Sequence, residues 1–258
     1  MNSVKQIALI TGASTGIGYE LAKVFAANGF DVVLLARKHA KLVQVAEELE
    51  QQYGVRAYVL PKDLSLPLAA LEIYDWSKSQ SLQINVLVNN AGFGAHGDFA
   101  QADLQNVLEM IQVNVTSLVH LTKLLLPELL QQPGSKILNV ASTAAFQPGP
   151  RMAIYYASKA FVLSFSEALA AECAGTGLTV TALCPGPTAT EFQDRAGVVG
   201  TKLVRASLMR ADKVALAGYR GMMQGKRVVI PGIVSKLGVM SVRFAPRKAV
   251  ATIVKALH

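Results

Sequence analysis

The sequence predicts a single doubly wound α/β domain over residues 1–258: one parallel, Rossmann-like sheet of about seven strands with helices on both faces and a helical C-terminal extension. Three observations carry this expectation. Short apolar runs alternate with amphipathic stretches, the pattern of parallel strands joined by right-handed crossovers. The runs are apolar almost throughout, as strands covered on both faces must be. The first run ends in a glycine-rich turn that leads into a helix.

The elements follow in order. Residues 5–11 (KQIALIT) are a short apolar run ending at a Gly turn, hence a buried strand. Ile17, Leu21, Val24 and Phe25 recur at helical spacing over residues 17–28, and Gly29 is a natural stop. Residues 31–36 (DVVLLA) are the second strand. Residues 39–53 form a helix with Leu42, Val45, Ala46 and Leu49 on one face. A strand at 56–60, a helix over 68–79 and a strand at 85–88 come next. A long helix within 104–130 precedes a strand at 136–140. A helix over 152–174 and strands at 178–184 and 227–230 complete the sheet.

Composition narrows the class. The 258 residues are 52% hydrophobic and 16% charged, enough apolar material for a sizeable core and too little charge for a disordered chain. Cys173 and Cys184 cannot build a disulfide scaffold or a zinc site alone and are read as reduced thiols. His39, His96, His120 and His258 lack metal spacing, so no metal is assigned. The N-terminal apolar run is too short for a signal peptide, and no run reaches the length of a membrane span; a cytoplasmic setting is expected. The net charge of +8 is uneven. Residues 1–194 hold 12 Lys+Arg and 16 Asp+Glu, whereas residues 195–258 hold 13 and a single acid, Asp212. The C-terminal quarter therefore either faces something anionic or is a solvated basic surface. It lacks interleaved aromatics, which argues against nucleic acid.

The turn after the first strand is TGASTGIG, residues 11–18. Gly12 suits a tight turn with positive φ, Gly16 lets backbone approach a phosphate, and Gly18 lets the helix lie close to the sheet. The helix starting near Ile17 directs free N–H groups and partial positive charge at that point, so Gly12, Ser14, Thr15, Gly16, Ile17 and Gly18 form a candidate diphosphate cradle. Where an acid at the end of the second strand would select a ribose 2′-hydroxyl, this chain has Arg37 and Lys38, which suit a 2′-phosphate. NADP(H) is thus expected over NAD(H).

Tyr155 and Lys159 stand at i and i+4 in YYASK, on one helical face. An adjacent ammonium favours the phenolate, so the pair is expected to act as an acid/base with a lowered tyrosine pKa. Tyr156 has no such lysine and reads as a packing residue. Ser142 follows the 136–140 strand, at the edge where ligands bind. Asn114 lies among apolar neighbours and is either a structural bracket or part of a polar relay.

Together these residues closely resemble the short-chain dehydrogenase/reductase family. The resemblance rests on TGASTGIG, Asp63-Leu64, Asn89-Asn90-Ala91-Gly92, Asn114, Ser142, YYASK, and Pro185-Gly186 followed by Thr188 and Thr190. It implies that Asp63 and Leu64 contact adenine, that Asn90, Ala91 and Gly92 brace the sheet beside the cofactor, and that Lys159 bonds the nicotinamide ribose. It further implies that Pro185, Gly186, Thr188 and Thr190 border the carboxamide, and that Arg37 is the NADP(H) determinant. The second basic residue some members carry in the glycine loop is absent; Ser14 and Thr15 stand there. The implied chemistry is reduction of a carbonyl, with Tyr155 as proton donor, Ser142 orienting the oxygen, Lys159 easing ionisation and Asn114 holding a water.

Residues 191–212 would then be a substrate lid, with Phe192, Val198, Val199, Leu203, Leu208 and Met209 either suiting an apolar substrate or packing in the core. In the basic tail, residues 233–258, Ile233, Leu237, Met240 and Phe244 form one apolar stripe, and Val250, Ile253, Val254 and Leu257 a second. The tail is expected foremost to pack on the domain or another subunit. Contact with an anionic membrane and a site for an acyl carrier or coenzyme A phosphate are the alternatives. Met222, Met223 and Met240 are expected in the core. The leading expectation is an NADPH-dependent reductase of an apolar ketone, such as a 3-oxoacyl thioester or lipid-like ketone, acting as a homo-oligomer. An NAD-linked alcohol dehydrogenase and a cofactor-binding regulator without turnover are the competing readings.

Overall fold

The computed structural model describes residues 5–198 and 208–257. The strands are β1 (Ile7–Thr11), β2 (Asp31–Ala36), β3 (Ala57–Pro61), β4 (Ile84–Asn89), β5 (Lys136–Val140), β6 (Thr179–Leu183), β7 (Thr188–Ala189), β8 (Met209–Arg210) and β9 (Val228–Val229). Between them lie helices α1 (Gly16–Ala27), α2 (His39–Tyr53), α3 (Ala69–Ser79), α4 (Leu104–Ile111), α5 (Ser117–Gln131), α6 (Ala153–Glu172) and α7 (Phe192–Ala196). The helices α8 (Ala211–Met223), α9 (Ile233–Val242) and α10 (Arg247–Leu257) come last.

Seven strands form one sheet in the order β3-β2-β1-β4-β5-β6-β9, and every pairing is parallel. The order reverses beside β1, whose neighbours are β2 and β4. That reversal opens a crevice beyond the carboxyl ends of β1 and β4.

The unbroken apolar strands are explained by two cores. Ile10, Leu34 and Val88 face one core, which holds Phe25, Leu42 and Met222. Leu9, Val33, Leu35 and Leu87 face the other, with Ile73, Leu125 and Leu169. Side chains alternate along each strand, but both faces are buried, so no polar alternation survives.

The structure departs from the sequence reading at several points, among them a small second sheet that pairs β7 with β8. The long helix is not continuous: a π-helical turn, Gln112–Thr116, separates α4 from α5 and carries Asn114. α8 was not foreseen. It contains Gly218 and Gly221, poor helix formers, yet a Cβ at Gly218 would stand 2.6 Å from Leu183 Cδ2 and one at Gly221 2.2 Å from Val229 Cγ2. Close packing on the sheet outweighs propensity there. Met222 is buried, but Met223 and Met240 are exposed rather than in the core. The first tail stripe, expected to pack, faces solvent, whereas Val250 and Val254 of the second do pack, against Met152 and Tyr156. Ile253 is exposed, and the Leu257 side chain lies outside the described residues.

Phe25 is fully buried and edge-on to both Phe30 and Tyr219, with ring centroids 5.2 Å apart in each pair. It ties the last turn of α1 to α8. Phe25→Ala is expected to lower unfolding stability by about 3–5 kcal/mol in a urea titration, because the cavity it leaves cannot collapse without moving both helices.

Candidate active site

The crevice at the strand reversal is a cleft of about 610 Å³. Thr11, the last residue of β1, organises its floor. Its hydroxyl oxygen accepts from the backbone N–H groups of Asn90 and Ala91, both at 2.9 Å, and donates to the Val88 carbonyl at 3.3 Å. The Asn90 amide reaches back to the carbonyls of Thr11 (2.9 Å) and Gly12 (3.3 Å). Gly12 adopts φ +68°, and a Cβ on Gly18 would stand 2.2 Å from the Gly12 carbonyl oxygen. Only a bare backbone lets α1 start this close to the sheet.

Gly12, Ser14, Thr15, Gly16 and Ile17 line the cleft, with Arg37 and Lys38 at one end. Lys41, Lys62 and Arg195 line it as well, and sequence reasoning did not single them out. Lys41 was within reach, since α2 starts at His39 and its first turn must face the Arg37 loop. Arg195 had no signal: it comes from the short helix α7, with its guanidinium 4.2 Å over the Phe93 ring. Burial and the nearby Arg37 hold its pKa below the usual arginine range. The end of β2 carries no acid, as expected, but Asp63 lies 4.0 Å from Arg37. Its carboxylate also accepts from the Ser65 N–H and hydroxyl. Leu64 borders the cleft from a mostly buried position, and Asn90, Ala91 and Gly92 form its wall.

Ser142 and Tyr155 meet deeper in the cleft, their hydroxyls hydrogen-bonded to one another. Ser142 also accepts from the Ala144 N–H at 3.1 Å, which fixes it at the start of a short 3₁₀ turn beyond β5. Lys159 is buried, donates to the Val140 carbonyl at 2.7 Å, and stands 5.9 Å from the centroid of the Tyr155 ring. The expected drop in the tyrosine pKa is not found. Burial pushes the Tyr155 phenol up to about 12, partly offset by its bond to Ser142. Burial pushes the Lys159 ammonium down to about 8. Spacing brought the two onto one face, but the ammonium is turned to a backbone carbonyl, and desolvation governs both groups.

Asn114 is a bracket. Its Oδ1 accepts from the Phe93 N–H (3.0 Å), and its amide donates to the Phe93 carbonyl (2.9 Å) and the Ser158 hydroxyl (3.1 Å). Both amide donors are used, so a water would find only the second lone pair of Oδ1. Asn114 Oδ1 and Lys159 Nζ border the same space, 3.0 and 3.3 Å from a Cβ built on Gly92.

The remaining wall is apolar: Met152, Tyr156, Phe192 and Val198. The Phe192 ring centroid is 5.2 Å from that of Tyr155. Gly94, which sequence reasoning missed, makes this convergence feasible. A Cβ there would meet Phe192, Met152 and Tyr155 at 3.0–3.2 Å. Leu208 is exposed and Met209 packs toward the core, so neither matches the expected lid lining. Val199 and Leu203 lie outside the described residues. Thr188 and Thr190 shape the rim: the Thr190 hydroxyl bonds to the Thr188 carbonyl (3.3 Å) and Gln193 (3.2 Å), while the Gln193 amide donates to the Thr188 carbonyl. Pro185 and Gly186 complete that rim.

A family model described as short chain dehydrogenase matches residues 6–197. The chain is 38% identical over 191 residues to the very-long-chain 3-oxoacyl-CoA reductase of Anas platyrhynchos, covering 72% of this chain and 60% of that protein. It is 37% identical over 191 residues to sulfoacetaldehyde reductase 2 of Chromohalobacter salexigens, covering 73% and 75%. The match therefore spans less than two thirds of the first relative's length. Among solved structures, the chain is similar to a short-chain dehydrogenase from Sphingobium yanoikuyae in complex with NADPH. The TM-score is 0.82 at 33% identity, over 92% of this chain and 95% of that one.

A lysine titrating near 8 in the folded state and near 10.5 when unfolded weakens the fold at neutral pH, where both states are charged but only one is hydrated. Without cofactor, Lys159→Met should raise stability by about 1–3 kcal/mol at pH 7. The gain should shrink as pH rises from about 8 to about 10.5, because the native lysine sheds its proton there before the unfolded one does. Chemical denaturation across that range measures it.

Proposed function

The chain belongs to the short-chain dehydrogenase/reductase family, and on that premise we propose that it is an NADPH-dependent reductase converting an apolar ketone to an alcohol. A 3-oxoacyl thioester or another lipid-like ketone fits the class. The observation that carries this reading is the Ser142–Tyr155 hydroxyl pair, open to an apolar wall and backed by the buried Lys159.

The residues of the cleft fit the cofactor. The cradle has no Cβ at Gly12, Gly16 or Gly18, and the N-terminus of α1 points free N–H groups at the diphosphate position. Arg37 and Lys38 would hold the 2′-phosphate, with Lys41 nearby. Asp63 and Leu64 would flank the adenine, Asn90, Ala91 and Gly92 the ribose, and the Thr188 backbone with the Thr190 hydroxyl the carboxamide. The acid that an NAD-linked reading needs at the end of β2 is absent, and the cations Arg37, Lys38 and Lys41 outnumber the neighbouring Asp63.

When bound, NADPH supplies a hydride for the carbonyl carbon. Tyr155 donates its proton to the carbonyl oxygen as negative charge grows there. Ser142 donates a hydrogen bond to the same oxygen and fixes its direction. A phenol titrating near 12 stays protonated at neutral pH, so the donor is always loaded. Its difficulty is release, and the Lys159 ammonium opposes that by stabilising the phenolate as it forms. Asn114 acts as a positioning residue: it clamps Phe93 and Ser158, and so the wall facing Lys159. Met152, Tyr156, Phe192 and Val198 exclude water and receive the apolar body of the ketone.

Tyr155→Phe should lower turnover about 10³-fold while NADPH fluorescence titration gives an unchanged affinity; turnover like the wild type would overturn the assignment. Arg37→Ala should weaken NADPH about tenfold or more and leave NADH nearly untouched, since a charge-assisted bond to a phosphate is lost. Equal weakening of both cofactors would sink the 2′-phosphate reading. The kcat/KM for ketone reduction should hold level below about 8 and fall above it, as the Lys159 ammonium loses its proton.

A further inference from the structure

The first apolar stripe of the tail is turned away from the domain. Ile233 is 76% exposed, Leu237 60%, Met240 57%, and Phe244, just past the end of α9, 85%. At 100° per residue Ile233, Leu237 and Met240 fall within an arc of about 60°. Ser235, Val239 and Val242, on the opposite side, are the residues that turn inward. Lys236 and Arg243 run together along one flank of the outward arc, and Arg247 and Lys248 open α10. Among the described residues none of these four cations makes an ion pair, and the one acid of the region, Asp212, is held by Arg210 at 2.9 Å.

We propose that this face of α9, with Phe244, docks peripherally on an anionic membrane surface. A ridge of aliphatic side chains and a phenylalanine, bordered by unpaired cations, suits the acyl–headgroup boundary, which deforms around protruding residues and supplies the opposite charge. A second copy meeting this face about a twofold axis would set its cations against themselves. No helix among the described residues is long and apolar enough to cross a membrane, so α9 would lie on the surface. The inner side of the helix borders the cleft: Ser235 Oγ is 2.5 Å from a Cβ built on Gly186, and Val242 packs with the cluster holding Met152 and Tyr156. The docking face includes no catalytic residue, so it and the reductase reading can fail separately.

The test is co-sedimentation of the full chain with phosphatidylcholine vesicles, with and without phosphatidylserine, at low and high salt, alongside light scattering for mass. The chain should pellet with the phosphatidylserine vesicles at low salt and be released at high salt. The pair Lys236→Gln/Arg243→Gln should weaken binding about thirtyfold, and Leu237→Ser/Phe244→Ser at least about tenfold. Both pairs should leave NADPH affinity and turnover of a water-soluble ketone unchanged. Pelleting that ignores phosphatidylserine, or that neither pair alters, would overturn the proposal. So would failure to pellet, including the case where the mass is that of a dimer that Leu237→Ser/Phe244→Ser splits, which would assign the face to a second copy.

Discussion

The Thr11 hydroxyl is the pin on which the cleft depends. Where β1 and β4 part, backbone groups lose their ladder partners, and each one buried without a replacement would cost about 1–3 kcal/mol. One side chain takes two of the donors, and the Asn90 amide covers the carbonyls of Thr11 and Gly12. The crevice therefore stays open with these four backbone groups satisfied. The same bonds fix the Gly12 turn, against which Gly18 and the first turn of α1 are set. Glycine turn and sheet split are one construction.

A second layer of buried polar groups runs beneath Ser142, Tyr155 and Lys159. Asn89 donates to Thr122 and Asn139, and Asn139 to Ser166, linking β4, α5, β5 and α6. Together with the Asn114 clamp, this network holds α6 at a fixed rotation, and α6 carries Tyr155 and Lys159. Lys159 is set against stability: burial makes its charge unwelcome, and its ammonium is answered by the Val140 carbonyl rather than by an acid. A cation kept at such cost is what a site needs if a phenolate must form beside it.

Much of this was legible in the sequence, for reasons particular residues make plain. All seven strands of the sheet announced themselves because alternate side chains, such as Leu9 and Ile10, enter two different cores, leaving long apolar runs. Tyr155 and Lys159 were legible because i,i+4 spacing is a property of the helix itself. The direction of the Lys159 ammonium was not, since it is set by a carbonyl on β5, and so the sign of the tyrosine shift was missed. The π-helical turn at Asn114 is one extra residue in a register and leaves no mark in composition. Gly94 is small because Met152, Tyr155 and Phe192 meet there from two distant stretches of chain, which no local pattern reports. α8 was hidden by Gly218 and Gly221, whose lack of side chains serves the sheet beneath them.

The tail shows where periodicity stops being informative. Ile233, Leu237 and Met240 recur as a core-facing helix would show them, and the period alone cannot say which side the core is on. The deciding evidence is the rest of the wheel. Ser235 and Val242 are small enough to lie against the rim at Gly186 and the wall at Met152, whereas the larger residues would not fit there. Bulk is directed outward because the inner side is already filled by the walls of the cleft. The surface that results is apolar and basic beside the apolar wall of the cleft, so the geometry that shapes the cleft also determines which face the tail presents to its surroundings.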